Sequence, residues 1–128
     1  MAAGKAAAGV TAEKPELFGK MLVLQALPGT QGIYGFLTAV IIMVNIGVIG
    51  GNAADLTVAQ GWQYFFAAMP MAITGLISGA CQGYTAVAAI HMTGKQPDAS
   101  GKGITMTALV ETYAILALLT SILLIMGI

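Results

Sequence analysis

The residue with the clearest chemical potential is Glu111, which stands in the apolar segment ALVETYAIL. Among the charged residues of the chain it alone lies well inside an apolar run, roughly 13 Å beyond Lys102 at the rise of an α-helix. An ionised carboxylate is costly in lipid, so such a residue usually faces a protein interior and marks the path of an ion or a proton. Glu111 is therefore the candidate ion-carrying group.

Three uncharged polar residues lie at a similar depth in other apolar segments. Thr30 and Gln31 lie roughly 16 Å into the first segment, and Gln82 lies roughly 18 Å into the second. Taken singly, each is consistent with a simple interhelical hydrogen bond. Together with Glu111 they offer a carboxylate, two amide oxygens and a hydroxyl at one level. Such hard oxygen ligands suit Na⁺, and one carboxylate would neutralise one such ion.

The elements that must position these residues are membrane helices. The chain has 128 residues, of which 58% are hydrophobic and 8% are charged, with a mean hydropathy of +0.88. A soluble domain carries about 25% charged residues. Three apolar segments, at about 17–50, 62–92 and 103–127, each reach the roughly 20 residues that span a hydrocarbon core. The sequence predicts an all-α membrane protein.

The distribution of charge predicts partners and orientation. Five basic and five acidic residues give a net charge of zero, which indicates no nucleic-acid partner. All the lysines lie in residues 1–20 and 94–102, so the positive-inside rule places both segments in the cytoplasm. Loop 51–61 and the C-terminus are then predicted to lie outside. Cys81 is the single cysteine, so an intrachain disulfide is excluded.

The sequence also contains an internal repeat with an offset of 82 residues. A shared P-x-x-x-G-K cluster opens the first and third apolar segments, at 15–20 and at 97–102. The repeat predicts a duplicated transmembrane helical hairpin, with a first repeat at 1–50 and a second at 51–128. Gly29 stands where the second repeat has Glu111, so one ionisable group serves two hairpins.

The first repeat starts late relative to the second. Met1 aligns with Gly83, so residues 58–82 have no counterpart, and the first of four expected helices survives only as a remnant at the N-terminus. A misplaced start codon is the explanation we expect, rather than true loss of the helix. Farther along the repeat, Pro28 lacks a backbone N–H, which predicts a bent helix and a free carbonyl at Leu24.

Three motifs carry a resemblance to a known family. The segments LPGTQGIYGF at 27–36, SGACQGYTAVAA at 78–89 and ALVETYAIL at 108–116 resemble the membrane rotor proteolipid, subunit K, of bacterial V-type ATPases. The resemblance covers essentially the whole chain. It implies a duplicated four-span hairpin whose copies form a ring in the plasma membrane of a bacterium. The ring would turn against a static membrane subunit.

The resemblance also implies a function and a set of ion ligands. The chain would carry Na⁺ on Glu111, coupled to ATP hydrolysis in a soluble head, with no catalytic site or cofactor of its own. The Na⁺ ligands implied are Glu111, Gln82, the side chains of Thr30 and Gln31, and the main-chain carbonyl of Leu27. The Tyr34 hydroxyl would hold the glutamate in its ion-locked position.

The partners implied are identical subunits, lipid, a static membrane subunit that supplies an arginine, and a central-stalk subunit at the cytoplasmic loops. Two alternatives stay open. A proton-carrying proteolipid of the same family would use Glu111 alone, with the glutamines as packing residues. A structural or pore-forming oligomeric membrane protein would exchange no ion at Glu111.

Overall fold

The structure is a computed structural model that describes residues 1–53 and 55–128, and within that part it is helical with no strand. The prediction of an all-α protein is therefore confirmed. The helices are α1 (Ala2–Glu13), α2 (Phe18–Ala26), α3 (Thr30–Asn45), α4 (Val58–Lys95) and α5 (Ser100–Met126). Short 3₁₀ turns at Pro15–Leu17, Leu27–Gly29 and Pro97–Ala99 precede α2, α3 and α5.

In the described residues, three stretches are long and apolar enough to cross a membrane, as the sequence predicted. They are Pro15–Asn45, Val58–Lys95 and Pro97–Met126. The first span ends five residues before the predicted position 50. Gly47 adopts a φ of +75°, and a Cβ atom there would collide with the Asn52 carbonyl, so the chain turns out of the helix at this point.

The second span begins earlier than predicted, because Thr57 caps α4. The Thr57 side chain accepts a hydrogen bond from the Gln60 backbone N–H, and the Gln60 side chain accepts one from the Thr57 N–H. This reciprocal arrangement is a capping box, which satisfies two N–H groups that the helix itself leaves unpaired. The helix therefore starts at Val58, four residues before Trp62.

Pro28 interrupts the first span, as expected from its missing N–H. It lies in the 3₁₀ turn Leu27–Gly29 between α2 and α3, after which α3 resumes at Thr30. Both the backbone N–H and the hydroxyl of Thr30 donate to the Leu27 carbonyl, the latter over 2.9 Å. The turn thus brings a main-chain carbonyl and a hydroxyl together at mid-span.

Small residues hold α1 against the rest of the bundle. Ala3 and Ala7 of α1 are buried in the main apolar core, whose other members come from α4 and from the first span. These are Leu17, Met21, Leu24, Ala86, Ala89 and Ile90. A smaller core, formed by Met71, Ala114 and Ala117, joins α4 to α5 at the other end.

Two lysines tie the first hairpin to the second at one end of the bundle. Lys14 Nζ donates to the Gly94 carbonyl over 2.5 Å, and Lys20 Nζ donates to the Pro97 carbonyl over 2.8 Å. We call these two bonds the lysine clasp. Gly94 lies in the last turn of α4, where a positive charge also interacts favourably with the helix dipole.

Pro70 stands inside α4, and a serine of the neighbouring helix meets the backbone beside it. The Ser121 hydroxyl of α5 accepts a hydrogen bond from the Met71 N–H over 3.1 Å. Ser121 is fully buried and Met71 nearly so. This interhelical side-chain bond joins α4 to α5 beside Pro70.

Replacing Ser121→Ala should destabilise the helix pair by about 1 kcal/mol, because the buried hydrogen bond that joins α5 to the Met71 N–H is lost. The measurement is reversible unfolding in mixed micelles with a denaturing detergent. Thr105→Val is the matched control, since that exposed hydroxyl bonds only within its own helix, to the Gly101 carbonyl. Equal losses for the two variants would contradict a special role for Ser121.

Candidate ion-binding site

The carboxylate of Glu111 meets a hydroxyl from another helix. The Tyr34 hydroxyl of α3 donates a hydrogen bond to Glu111 Oε1 of α5, and both residues are partly buried. Hydrogen bonds to an ionised acceptor are roughly twice as strong as neutral ones. The bond therefore holds the Glu111 side chain toward the first hairpin. Its donor is Tyr34, the residue for which the family resemblance implied this contact.

A chain of two amides lies beside this pair and joins three helices. Gln31 Nε2 of α3 donates to Gln82 Oε1 of α4 over 2.5 Å, and Gln82 Nε2 donates to the Thr107 carbonyl of α5 over 3.1 Å. Gln31 is 7% exposed and Gln82 is fully buried. Polar groups this deep need partners, and here each amide finds one on another helix.

Thr30 extends the network to the backbone of the 3₁₀ turn. Its hydroxyl donates to the Leu27 carbonyl over 2.9 Å and lies 3.4 Å from Gln31 Oε1. Because a hydroxyl carries one hydrogen, the shorter contact is the hydrogen bond, and the longer contact places two oxygens side by side. The Leu27 carbonyl, the Thr30 hydroxyl and the Gln31 amide oxygen thus lie next to one another.

Helix spacing relates the amide network to the carboxylate. Thr30 and Tyr34 are four residues apart on α3, and Thr107 and Glu111 are four apart on α5, so each pair shares a helix face. The predicted site residues therefore gather where α3, α4 and α5 meet. In the described part of the chain, the hydrogen-bond partner of the Glu111 side chain is Tyr34 rather than either glutamine.

Two contributors were not singled out from the sequence. Thr107 is fully buried and its carbonyl orients Gln82, while its own hydroxyl donates to the Gly103 carbonyl. Its position one turn before Glu111 is the signal that points to it. Gly79 lies beside Gln31, and a Cβ atom built on it would meet the Gln31 side chain at 3.7 Å, an ordinary van der Waals contact.

Comparison with known proteins identifies the family of the chain. The profile of the family described as the ATP synthase C subunit matches residues 1–42 and 65–124. A V-type sodium ATPase subunit K from Enterococcus hirae is 47% identical over 124 residues, which is 97% of this chain and 76% of the relative. This chain belongs to the ATP synthase C subunit family. The family resemblance inferred from the three motifs is confirmed.

A second relative shows how widely the similarity extends. An A-type ATP synthase subunit K from Methanocaldococcus jannaschii is 44% identical over 121 residues, which is 94% of this chain and 52% of that relative. The two segments matched by the family profile include every residue of the network. Leu27, Thr30, Gln31 and Tyr34 fall in the first segment, and Gln82, Thr107 and Glu111 in the second.

The Tyr34 hydroxyl should protect Glu111 from reagents that attack a protonated carboxyl group. In Tyr34→Phe the carboxyl group loses the hydroxyl that holds it in place, so we expect it to be more accessible and to react roughly tenfold faster with a hydrophobic carbodiimide. That ratio corresponds to about 1.4 kcal/mol, within the range for a hydrogen bond to a charged group. The measurement is the initial rate of labelling at fixed pH without Na⁺.

Tyr84→Phe is the control for that experiment, because Tyr84 is 76% exposed on α4 and the hydroxyl that donates to Glu111 is that of Tyr34. Its labelling rate should equal that of the unmodified chain. An unchanged rate in Tyr34→Phe would show that the contact does not stabilise the carboxylate.

Proposed function

We propose that this chain is a rotor-ring subunit in the membrane sector of a V-type ATPase and that it carries Na⁺ on Glu111. The observation that carries the proposal is the polar network around a single carboxylate at the junction of three apolar helices. The relative from Enterococcus hirae, named as a subunit of a sodium ATPase, supports the choice of ion.

The donor set favours Na⁺ over a bare proton. The proposed ligands are the carboxylate of Glu111, the amide oxygens of Gln31 and Gln82, the hydroxyl of Thr30 and the carbonyl of Leu27. All of these are hard oxygen donors of the kind that alkali cations prefer. One carboxylate and one Na⁺ sum to zero charge, which lowers the cost of moving the loaded site past lipid.

Each residue then has a role in loading and release. Tyr34 holds the Glu111 carboxylate toward the amides, so that the ligands converge and the acid does not swing into lipid. At the static membrane subunit, an arginine of that partner would compete for the carboxylate and release Na⁺ to one access path. Reloading would occur from the other path, and ATP hydrolysis in a separate soluble head would drive the rotation.

The expected surroundings follow from this role. Identical copies would form the ring, as in other members of this family, with lipid around it and a central-stalk subunit at the lysine end. Residues 1–20 and 94–102 would then face the cytoplasm of a bacterium, with loop 51–61 and the C-terminus on the outer side. This orientation rests on the distribution of lysines.

One observation favours the proton-carrying alternative. Gln31 and Gln82 bond to each other and to the Thr107 carbonyl, so the amide pair is satisfied by protein partners alone. In that case the glutamines would serve as interhelical hydrogen-bond partners, and Tyr34 with Glu111 would be sufficient for proton exchange.

Carbodiimide labelling of Glu111 at fixed pH separates the two ions. Because bound Na⁺ keeps the carboxylate ionised and occupied, millimolar Na⁺ should suppress labelling, whereas equal K⁺ should not. Labelling that follows pH alone would contradict the sodium proposal in favour of the proton. A Glu111 that stays inert under all conditions would favour a purely structural oligomer.

Gln82→Ala should weaken this protection, so that several-fold more Na⁺ is needed for half-suppression. Gln63→Ala is the matched control, because Gln63 is an exposed amide near the start of the same helix. The same detergent unfolding assay on both variants separates loss of a ligand from loss of the fold. An unchanged Na⁺ requirement in a folded Gln82→Ala protein would remove Gln82 from the site.

A further inference from the structure

The two repeats place equivalent residues in opposite environments. On the first span, one residue in every seven along one stripe is buried against the second hairpin. The members of this stripe are Leu24, Gln31 and Thr38, which are 0%, 7% and 4% exposed. An offset of 82 residues gives Met106, Tyr113 and Thr120 on α5. Met106 and Tyr113 are 58% and 65% exposed, and Thr120 is exposed as well.

The residues equivalent to the lysine clasp are likewise exposed where the members of the clasp are bonded. The equivalents of its donors Lys14 and Lys20 are Gln96 and Lys102, which are both exposed N–H donors. The equivalents of its acceptors Gly94 and Pro97 are Ala12 and Pro15, and both of these are exposed too. One chain therefore carries two half-clasps, with donors on the second hairpin and acceptor positions on the first.

We propose that the exposed stripe of α5 docks the first hairpin of a second copy of this chain, and that the lysine clasp is repeated between the copies. Lys102 Nζ would donate to the Pro15 carbonyl of the neighbouring copy, and the Gln96 side chain would donate to its Ala12 carbonyl. This inference rests on the ring of the proposed function and specifies which atoms join its members.

A second copy fits this surface because, within one chain, the first hairpin already packs against the second hairpin in the equivalent way. The first hairpin covers one side of the second hairpin, and the two hairpins share the same turn geometry at their lysine ends. Lys14 and Gln96, which precede the two proline turns, have φ and ψ of −135° and 78°, and of −132° and 91°. Because different faces of the two copies meet, each copy can bind two neighbours, and such contacts close into rings.

The interface between copies would differ from the one within the chain at mid-membrane. Tyr113 replaces Gln31, Leu116 replaces Tyr34 and Gly29 replaces Glu111. The carboxylate and its hydroxyl donor are thus both lost at the equivalent position. Copies would be joined there by apolar and aromatic packing, and the proposed ion site would stay within each chain.

A disulfide cross-link tests this register directly. Within the chain, a Cβ atom built on Gly94 lies 3.8 Å from the Val10 Cβ, which matches the spacing in a disulfide. Shifting both positions by one repeat gives Met92 of one copy and Ala12 of the next. The variant combines Ala12→Cys and Met92→Cys with Cys81→Ser, is expressed in membranes and is oxidised with a mild copper reagent.

We expect a ladder of dimers, trimers and larger species on a denaturing gel, several-fold stronger than with either cysteine alone. Val10→Cys with Gly94→Cys is the matched control, and it should form a bond within one chain without such a ladder. A pattern that stops at dimers would contradict head-to-tail docking. Absence of the ladder while the control pair oxidises would overturn the proposal.

Na⁺ protection of Glu111 in the same membranes distinguishes this inference from the proposed function. Intact protection without a ladder would refute the docking register and leave the sodium site standing. A ladder without protection would support the docking register and count against sodium transport.

Discussion

The structure depends on lowering the free-energy cost of one carboxylate inside an apolar bundle. An ionisable side chain at this depth is expensive unless protein groups replace the water that it loses. Tyr34 supplies one such group by donating to Glu111 from another helix. The two glutamines and Thr107 then fix the helices on either side. The helix junction and the proposed chemistry therefore rest on the same bonds.

The 3₁₀ turn around Pro28 follows from the same constraint. In the turn the Leu27 carbonyl accepts from both the backbone N–H and the hydroxyl of Thr30, and that hydroxyl lies beside the Gln31 amide oxygen. Breaking a membrane helix is acceptable where its polar groups face protein rather than lipid. The oxygen atoms of the Leu27 carbonyl, the Thr30 hydroxyl and the Gln31 amide thus lie together at the interruption of the first span.

Much of this arrangement is readable from sequence because helix rise is constant. Counting residues from Lys20 and Gly94 put Thr30, Gln31 and Gln82 near the depth of Glu111. In the structure Thr30 contacts Gln31, which bonds Gln82. The rotation of each helix about its axis is not given by such counting. For that reason the bond from Gln82 to the Thr107 carbonyl, and the position of Gln31 beside Gly79, could be read only from the structure. The early end of α3 depended on a positive φ at Gly47, which composition alone does not specify.

The lysine clasp has a consequence for the order of events in biosynthesis. Positive-inside bias acts while a chain is being inserted, before its hairpins have packed. Lys14 and Lys20 are free charges at that stage and can act as topogenic signals. After folding, their ammonium groups are bound to the carbonyls of Gly94 and Pro97. Lys14 and Lys20 therefore contribute to the packing of the two hairpins in addition to the charge bias from which the orientation is inferred.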